Sequence, residues 1–109
     1  MKRKLLIIGA SGHGKVVADV AIKMNKWNEI VFLDDNPNIN KPLGLDVIGK
    51  TEEIPSYINE YDFFIGIGNN EIRKDLQLKL EGLGASIPVL IHPTATIGED
   101  VQINNGTVV

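Results

Sequence analysis

Cysteine is absent from the 109-residue sequence, which excludes disulfide bonds, thiol catalysis and the commonest ligand of structural zinc. Long apolar runs are absent as well, since none approaches the roughly 20 residues that a membrane-spanning helix needs. Excess positive charge is also lacking: the net charge is −3 and the pI is near 5.3, whereas nucleic-acid binding uses a basic surface. We therefore expect a cytoplasmic protein with no membrane insertion, no nucleic-acid partner and no metal site.

Three glycines closely follow the first apolar run of the chain. Leu5–Ile8 is apolar throughout, and Gly9, Gly12 and Gly14 then fall within six residues. This order predicts a buried strand, a tight turn and the amino end of a helix. The first N–H groups of a helix lack internal partners and its dipole favours negative charge, so a phosphate can bind where glycines leave the backbone open. We therefore expect a nucleotide or another phosphorylated small molecule as ligand.

Strands and helices alternate along the sequence. The predicted strands are Leu5–Ile8, Ile30–Leu33, a short one at Val47–Ile48, Phe63–Ile67 and Ile87–Ile91. This alternation predicts an α/β fold with a small, doubly wound parallel sheet. Ligands of such sheets bind beyond the carboxyl ends of the strands, so the glycine loop, Asp34–Asp35 and Gly68–Asn70 are predicted to converge on one site.

Two helices are predicted from amphipathic patterns. The first runs from Gly14 to about Asn25, and the second starts at about Glu71, with Asn70 as its N-cap and Gly84 just past its end. The apolar positions expected to face the core are Val16, Val17, Val20, Ala21 and Met24 in the first helix and Ile72, Leu76, Leu80 and Leu83 in the second.

The end of the sequence follows a different pattern. Ile91, Ile97, Ile103 and Val109 recur at every sixth position, which is typical of a parallel β-helix built from hexapeptides. Three hexapeptides make about one coil, and one coil cannot bury its apolar column alone. We therefore expect residues 1–90 to form one domain and residues 91–109 to begin a second. This interpretation makes the chain the front part of a longer protein.

The glycine loop matches two known nucleotide-binding patterns only in part. Gly9, Gly14 and Lys15 have P-loop spacing, but Val16 stands where a Ser or Thr should bind Mg²⁺. The order Gly-x-x-Gly-x-Gly differs from the dinucleotide fingerprint Gly-x-Gly-x-x-Gly, although Asp34 stands about where an acid would bind ribose. A glycine turn that only allows close packing of helix on strand is the structural alternative.

Several polar residues near these turns have more than one interpretation. His13 is a candidate general base, a hydrogen-bond donor to a ligand or an ordinary turn residue. Asp34–Asp35 is a candidate metal pair, a turn cap or a contact to ribose or base. Asn69–Asn70 is either a turn with an N-cap or a ligand contact. Arg73 is either a phosphate contact or a solvated charge.

Taken together, these segments resemble one family. The motifs are Gly9-Ala-Ser-Gly-His-Gly-Lys-Val-Val17, Phe32-Leu-Asp-Asp-Asn36, Tyr61-Asp-Phe-Phe-Ile-Gly-Ile-Gly-Asn-Asn-Glu-Ile-Arg-Lys74, and Ile91-His-Pro-Thr-Ala95 followed by hexapeptides. In this order they resemble the bacterial sugar acetyltransferases, and among these the UDP-4-amino-sugar N-acetyltransferases of bacillosamine-type glycan biosynthesis. Related members acetylate sialic acid or perosamine.

The resemblance implies a two-part protein. A Rossmann-like N-terminal domain would bind the UDP-linked amino sugar, and a left-handed β-helix would form a homotrimer and bind acetyl-CoA as co-substrate. The implied binding residues are Ser11, Gly12, His13 and Gly14 at the pyrophosphate or sugar, Asp34 and Asp35 near the uridine, and Gly68 and Asn69 on the far wall.

The resemblance also implies that this chain holds no catalytic residue. The catalytic histidine of the family lies on the β-helix, beyond residue 109, and neither His13 nor His92 matches it. The chain alone is therefore expected to be inactive. Two alternatives stay open: a sialic acid or other sugar O-acetyltransferase, and a non-catalytic nucleotide-binding module of Rossmann-like fold.

Overall fold

The computed structural model describes residues 3–36, 38–39 and 41–88. Their elements are the strands β1 (Arg3–Ile8), β2 (Trp27–Leu33), β3 (Val47–Gly49) and β4 (Tyr61–Ile65), and the helices α1 (Gly12–Met24), α2 (Ile54–Tyr57) and α3 (Asn70–Gly82). Two 3₁₀ turns, Pro42–Gly44 and Thr51–Glu53, flank β3. The predicted β-helix coil of residues 91–109 and most of the predicted strand at 87–91 lie outside the described residues.

The strands form one parallel sheet in the order β3-β2-β1-β4, which confirms the predicted α/β fold. The chain moves outward from β1 to β3 on one side and then crosses to place β4 on the other side of β1. Strand order therefore reverses between β1 and β4, and such a switch point opens a crevice at the carboxyl ends of the strands. After α3 the chain returns beside β4, where Ser86 makes a parallel bridge with Asp62.

The core has two layers, one on each face of the sheet. Leu5 and Ile7 pack into the cluster that includes the buried residues of α1, whereas Leu6 and Ile8 pack into the cluster that contains Ile54 of α2 and Leu80 of α3. The four β1 side chains are all 0% exposed, as predicted for a strand that is buried on both faces. Each such side chain contributes about 1.5–3 kcal/mol to stability.

The buried face of α1 agrees with the predicted one in part. Val16 was expected in the core but is 57% exposed, and Ala18 is buried instead. The buried positions include Gly14, Val17, Ala18 and Ala21, a spacing of i, i+3, i+4 and i+7 that marks one helical face. Val17, Val20 and Ala21 are buried as the apolar pattern predicted. The pattern did not include Gly14, which has no side chain and contributes bare backbone to the contact.

Helix α3 is capped at both ends by its own sequence. The N-cap is Asn69 rather than the predicted Asn70, because the Oδ1 atom of Asn69 accepts hydrogen bonds from the N–H groups of Glu71 at 3.0 Å and Ile72 at 3.1 Å. Gly84 follows the helix with a φ of +75°, as predicted for a glycine in the C′ position.

Within the described ranges, no helix combines the length and the apolar content needed to cross a bilayer.

Candidate functional site

A pocket of about 330 Å³ lies beyond the carboxyl ends of β1, β2 and β4. Its lining residues are Gly9, Ser11, His13, Leu33, Asp34, Asp35, Thr51, Gly66, Ile67, Gly68, Ile72 and Leu76. The pocket lining therefore includes residues from all three turns that the sequence predicted to converge, together with residues from outside them.

Gly9 and Gly66, which line the pocket, make close backbone contacts with Gly14 of α1. Gly9 has a φ of +101°, in the region that favours glycine, and a Cβ on Gly14 would collide with the carbonyl oxygen of Gly9. A Cβ on Gly66 would lie 2.7 Å from the Cα of Gly14. The structural interpretation of the glycine loop therefore holds for Gly14, whereas Gly12 is exposed with open space around it.

The amino end of α1 supplies an electropositive wall. Ser11 is the N-cap residue, yet its hydroxyl makes no capping hydrogen bond, and the first turn contains no acidic residue. The carbonyl of Ser11 accepts the first helical hydrogen bond, from the N–H of Lys15 at 2.9 Å. The N–H groups before Lys15 therefore have no partner within the helix, and the dipole gives this end partial positive charge. Ser11 and His13, which line the pocket, lie at this end.

Asp34 connects two of the turns. Its Oδ2 atom accepts a hydrogen bond from the N–H of Ala10 at 2.8 Å, and its Oδ1 atom accepts one from the N–H of Asn36 at 2.8 Å. The carboxylate therefore holds the glycine loop against the end of β2. The turn-capping interpretation of Asp34 accounts for these contacts.

Asp35 is held by Thr51, which sequence reasoning missed. The Oδ1 atom of Asp35 accepts a hydrogen bond from the Thr51 N–H at 2.9 Å, and the Thr51 hydroxyl lies 3.0 Å from Oδ1 and 2.9 Å from Oδ2. The hydrogen bond from the Thr51 backbone, and next that from its hydroxyl, lower the pKa of Asp35. Burial opposes them, and the charge of Lys50 adds a further lowering. Asp35 is therefore an ionised hydrogen-bond acceptor on the pocket wall.

An apolar wall on the β4 side was also missed. Ile67 follows β4, and Ile72 and Leu76 lie on the first turns of α3. The sequence pattern assigned Ile72 and Leu76 to the core, but Ile72 is 49% exposed and Leu76 is only partly buried. Apolar residues at the start of a helix that follows a strand end are the signal that could have identified this wall.

The structure brings together five of the eight predicted site residues. Ser11, His13, Asp34, Asp35 and Gly68 line the pocket, whereas Gly12, Gly14 and Asn69 do not. Gly12 is exposed, Gly14 packs against Gly9, and the Asn69 side chain caps α3.

The other acidic and titratable groups that the structure describes do not form a second candidate site. Tyr61 has a raised pKa, mainly because burial disfavours its charged form and then because Glu29 is near, but it lies at the amino end of β4, opposite the pocket. Among the residues that the structure describes, no group of three or more His, Cys, Asp or Glu side chains is arranged to bind a metal ion.

Comparisons with known proteins agree on one family. Residues 4–80 match the family described as the PglD N-terminal domain. The chain is 31% identical over 111 residues to the UDP-N-acetylbacillosamine N-acetyltransferase of Bacillus subtilis (strain 168), a match that covers 98% of this chain and 51% of that protein. The chain thus spans about half the length of this curated relative.

Solved structures show the same partial coverage. The acetyltransferase domain of PglB from Neisseria gonorrhoeae FA1090, in complex with acetyl coenzyme A, is 42% identical with a TM-score of 0.88, over 99% of this chain and 53% of that one. A mutant of perosamine N-acetyltransferase from Caulobacter crescentus, in complex with CoA and GDP-perosamine, is 28% identical with a TM-score of 0.85, over 97% of this chain and 50% of that one.

Proposed function

Because this chain belongs to the PglD N-terminal domain family, we propose that it is the UDP-sugar-binding part of an acetyl-CoA-dependent UDP-4-amino-sugar N-acetyltransferase. The observation that carries the proposal is the pocket of about 330 Å³ between the amino end of α1 and the Asp35 carboxylate. A diphosphate is an anion that suits the helix end, and a nucleoside offers N–H and O–H donors that suit a carboxylate.

The proposed binding set is Ser11, Gly12, His13 and Gly14 at the pyrophosphate or sugar, Asp34 and Asp35 at the uridine, and Gly68 and Asn69 at the far wall. The open space at Gly12 supports its role, because a phosphate can approach the backbone there. Gly14 and Asn69 affect ligand binding indirectly in this proposal, because Gly14 lets α1 pack closely against the glycine loop and Asn69 caps α3.

The remainder of the proposed enzyme follows residue 90. Residues 91–109 begin a left-handed β-helix of hexapeptides that forms a homotrimer, binds acetyl-CoA and carries a catalytic histidine beyond residue 109. The sugar amine attacks the thioester carbonyl, the amine proton passes to the histidine, and CoA leaves as the thiol. Ser11 is then a binding residue and forms no acyl-enzyme. The acetyl-CoA and CoA complexes of the structural relatives support this scheme. The proposed location of the enzyme is the cytoplasm, where acetyl-CoA is available.

Isothermal titration calorimetry of UDP, with GDP, NAD and ATP as comparison ligands, tests the proposal. We expect selective binding of UDP. Gly12→Val should abolish it by blocking the phosphate, although the fold has room for the side chain. Asp35→Ala should weaken it by about tenfold, since a hydrogen bond to a charged group is lost. Gly82→Val is the matched control, because it also meets open space but lies at the carboxyl end of α3, whereas Gly12 begins α1.

The comparison ligands separate this proposal from its alternatives. Selective binding of NAD or ATP would favour a non-catalytic nucleotide-binding module. A preference for GDP would keep the nucleotide-sugar function but change the nucleotide. The titration is repeated with the longer protein, and failure of both proteins to bind any nucleotide would overturn the proposal.

A further inference from the structure

Among the polar side chains of the described pocket lining, Thr51 is the one to which neither the sequence motifs nor the proposed binding set gives a role. It opens the 3₁₀ turn Thr51–Glu53 directly after β3 and is half-buried. It donates hydrogen bonds through its backbone N–H and its hydroxyl to the Asp35 carboxylate, which belongs to the loop after β2, 16 positions earlier in the chain. The two residues therefore join neighbouring strand ends at the pocket.

The backbone around Thr51 is itself anchored. The carbonyl of Gly49 accepts a hydrogen bond from the N–H of Asp34 at 3.0 Å, which ties the end of β3 to the end of β2. The Glu53 carboxylate then accepts a hydrogen bond from the N–H of Lys50 at 2.6 Å and so closes the turn that follows. Thr51 lies between these two anchors, and its donors are fixed relative to Asp35.

Within the part of the chain that the structure describes, Asp35 has no comparable anchor besides Thr51. It is exposed and follows the end of β2, so without Thr51 its carboxylate would be free to rotate. The contacts to Thr51 leave acceptor capacity on the carboxylate, because the one hydroxyl proton is shared between Oδ1 and Oδ2, and only Oδ1 also accepts the Thr51 N–H. Asp34 differs, since both of its oxygens already hold backbone N–H groups.

We propose that Thr51 is a positioning residue that fixes the Asp35 carboxylate on the pocket wall, so that its Oδ2 atom accepts a hydrogen bond from the nucleoside of the ligand. This inference rests on the proposed nucleotide-sugar function. In this arrangement Thr51 affects ligand binding only through Asp35, so its effect depends on the presence of the Asp35 side chain.

The test is a double-mutant cycle measured by titration calorimetry with UDP. Thr51→Val removes the hydroxyl, keeps the backbone N–H and is expected to weaken binding by about two- to tenfold, the value of one net hydrogen bond. Thr51→Ser keeps the hydroxyl and should bind UDP as the unsubstituted chain does. In an Asp35→Ala background, Thr51→Val should have no further effect. Ser56→Ala, which removes an exposed hydroxyl from α2, is the matched control.

The pH dependence of binding gives a second readout that a purely structural role would not change. The Thr51 hydroxyl contributes to the lowered pKa of Asp35, so its removal raises that pKa. UDP binding is then lost at a higher pH in Thr51→Val than in the unsubstituted chain as the solution is acidified. Titration of the nucleotide phosphate is common to both proteins and cancels in the comparison.

Each outcome is decisive. If the unsubstituted chain binds UDP and Thr51→Val binds equally well at every pH, the positioning role is wrong and the proposed function stands. Equal weakening by Thr51→Val with and without the Asp35 side chain would also overturn it, because Thr51 would then act independently. If neither this chain nor the longer protein binds a nucleotide, both proposals fail. Thermal melting checks that the variants fold, and Thr51→Ala replaces Thr51→Val if the valine variant does not.

Discussion

At the scale of single residues, the glycine loop serves two purposes at different positions. Gly14 lies so close to the carbonyl oxygen of Gly9 that it leaves no space for a side chain, whereas Gly12 is open to solvent. A sequence motif contains both glycines, but the structure shows close packing at Gly14 and open space at Gly12. If the proposed function holds, substitutions at these two positions separate ligand binding from fold stability.

We expect Gly14→Ala to destabilise the fold by about 1–3 kcal/mol or more, because the added methyl group meets backbone that cannot rotate away. Urea denaturation followed by circular dichroism measures the loss. Gly82→Ala is the control: it meets open space near the end of α3, and alanine there should raise stability by up to about 1 kcal/mol. An unchanged denaturation midpoint for Gly14→Ala would contradict the contact between α1 and the loop.

The sequence predicted the location of the two aspartates after β2, but it did not predict the separate role of each. The position of Asp34–Asp35 after a buried strand is enough to predict their location at the sheet edge. Their partners come from distant positions, Ala10 for Asp34 and Thr51 for Asp35. A local pattern carries no information about such contacts, and for that reason Thr51 was not identified.

At the scale of elements, the strands that were predicted best are those whose burial needs no polar partner. β1 is apolar at four consecutive positions, and the prediction differs from the structure only at its first residues. For β4 the sequence predicted Phe63–Ile67, but the strand is Tyr61–Ile65. Its early part holds Asp62, which accepts a hydrogen bond from the Trp27 indole at 2.9 Å. A buried acid in a strand becomes predictable only when its partner on β2 is known.

The start of α3 shows the same dependence on tertiary structure. Asn69 and Asn70 are equally good N-cap residues by type. Asn69 is selected because its backbone is extended, with φ of −69° and ψ of 120°, where the chain leaves the β4 turn. Its carboxamide oxygen therefore caps the helix, although the residue directly follows Gly68 of the pocket lining.

We expect Asn69→Ala to destabilise the chain by about 1 kcal/mol, since two N–H groups of α3 lose their acceptor. Thermal melting should show a fall of several degrees, about 4–8 °C per kcal/mol for a domain of this size. Asn69→Asp keeps the acceptor and should melt near the unsubstituted chain. Asn70→Ala is the matched control, because Asn70 is exposed and lies inside the helix. Equal melting temperatures for the two alanine variants would show that the cap contributes little.

At the scale of the whole molecule, topology is what made the site predictable. Parallel strands separated by helices bring distant turns to one edge, so the convergence of the turns after β1, β2 and β4 followed from the alternation of elements alone. The apolar wall did not follow, because Ile72 and Leu76 fit a core pattern as well as a pocket pattern. The hexapeptide segment, residues 91–109, lies outside the described residues, and its β-helix remains a prediction.

In the proposed enzyme, the first part binds the nucleotide sugar and the second part transfers the acetyl group. A chain of residues 1–90 should bind UDP as well as the 109-residue chain does, because the pocket lining ends at Leu76. Neither should transfer acetyl groups, whereas the longer protein should. Release of the CoA thiol from acetyl-CoA in the presence of a UDP-4-amino sugar measures the reaction, and the same mixture without the sugar is the control. Acetyl transfer by the 109-residue chain would place a catalytic group within it and refute the proposed division, since the scheme locates the catalytic histidine beyond residue 109.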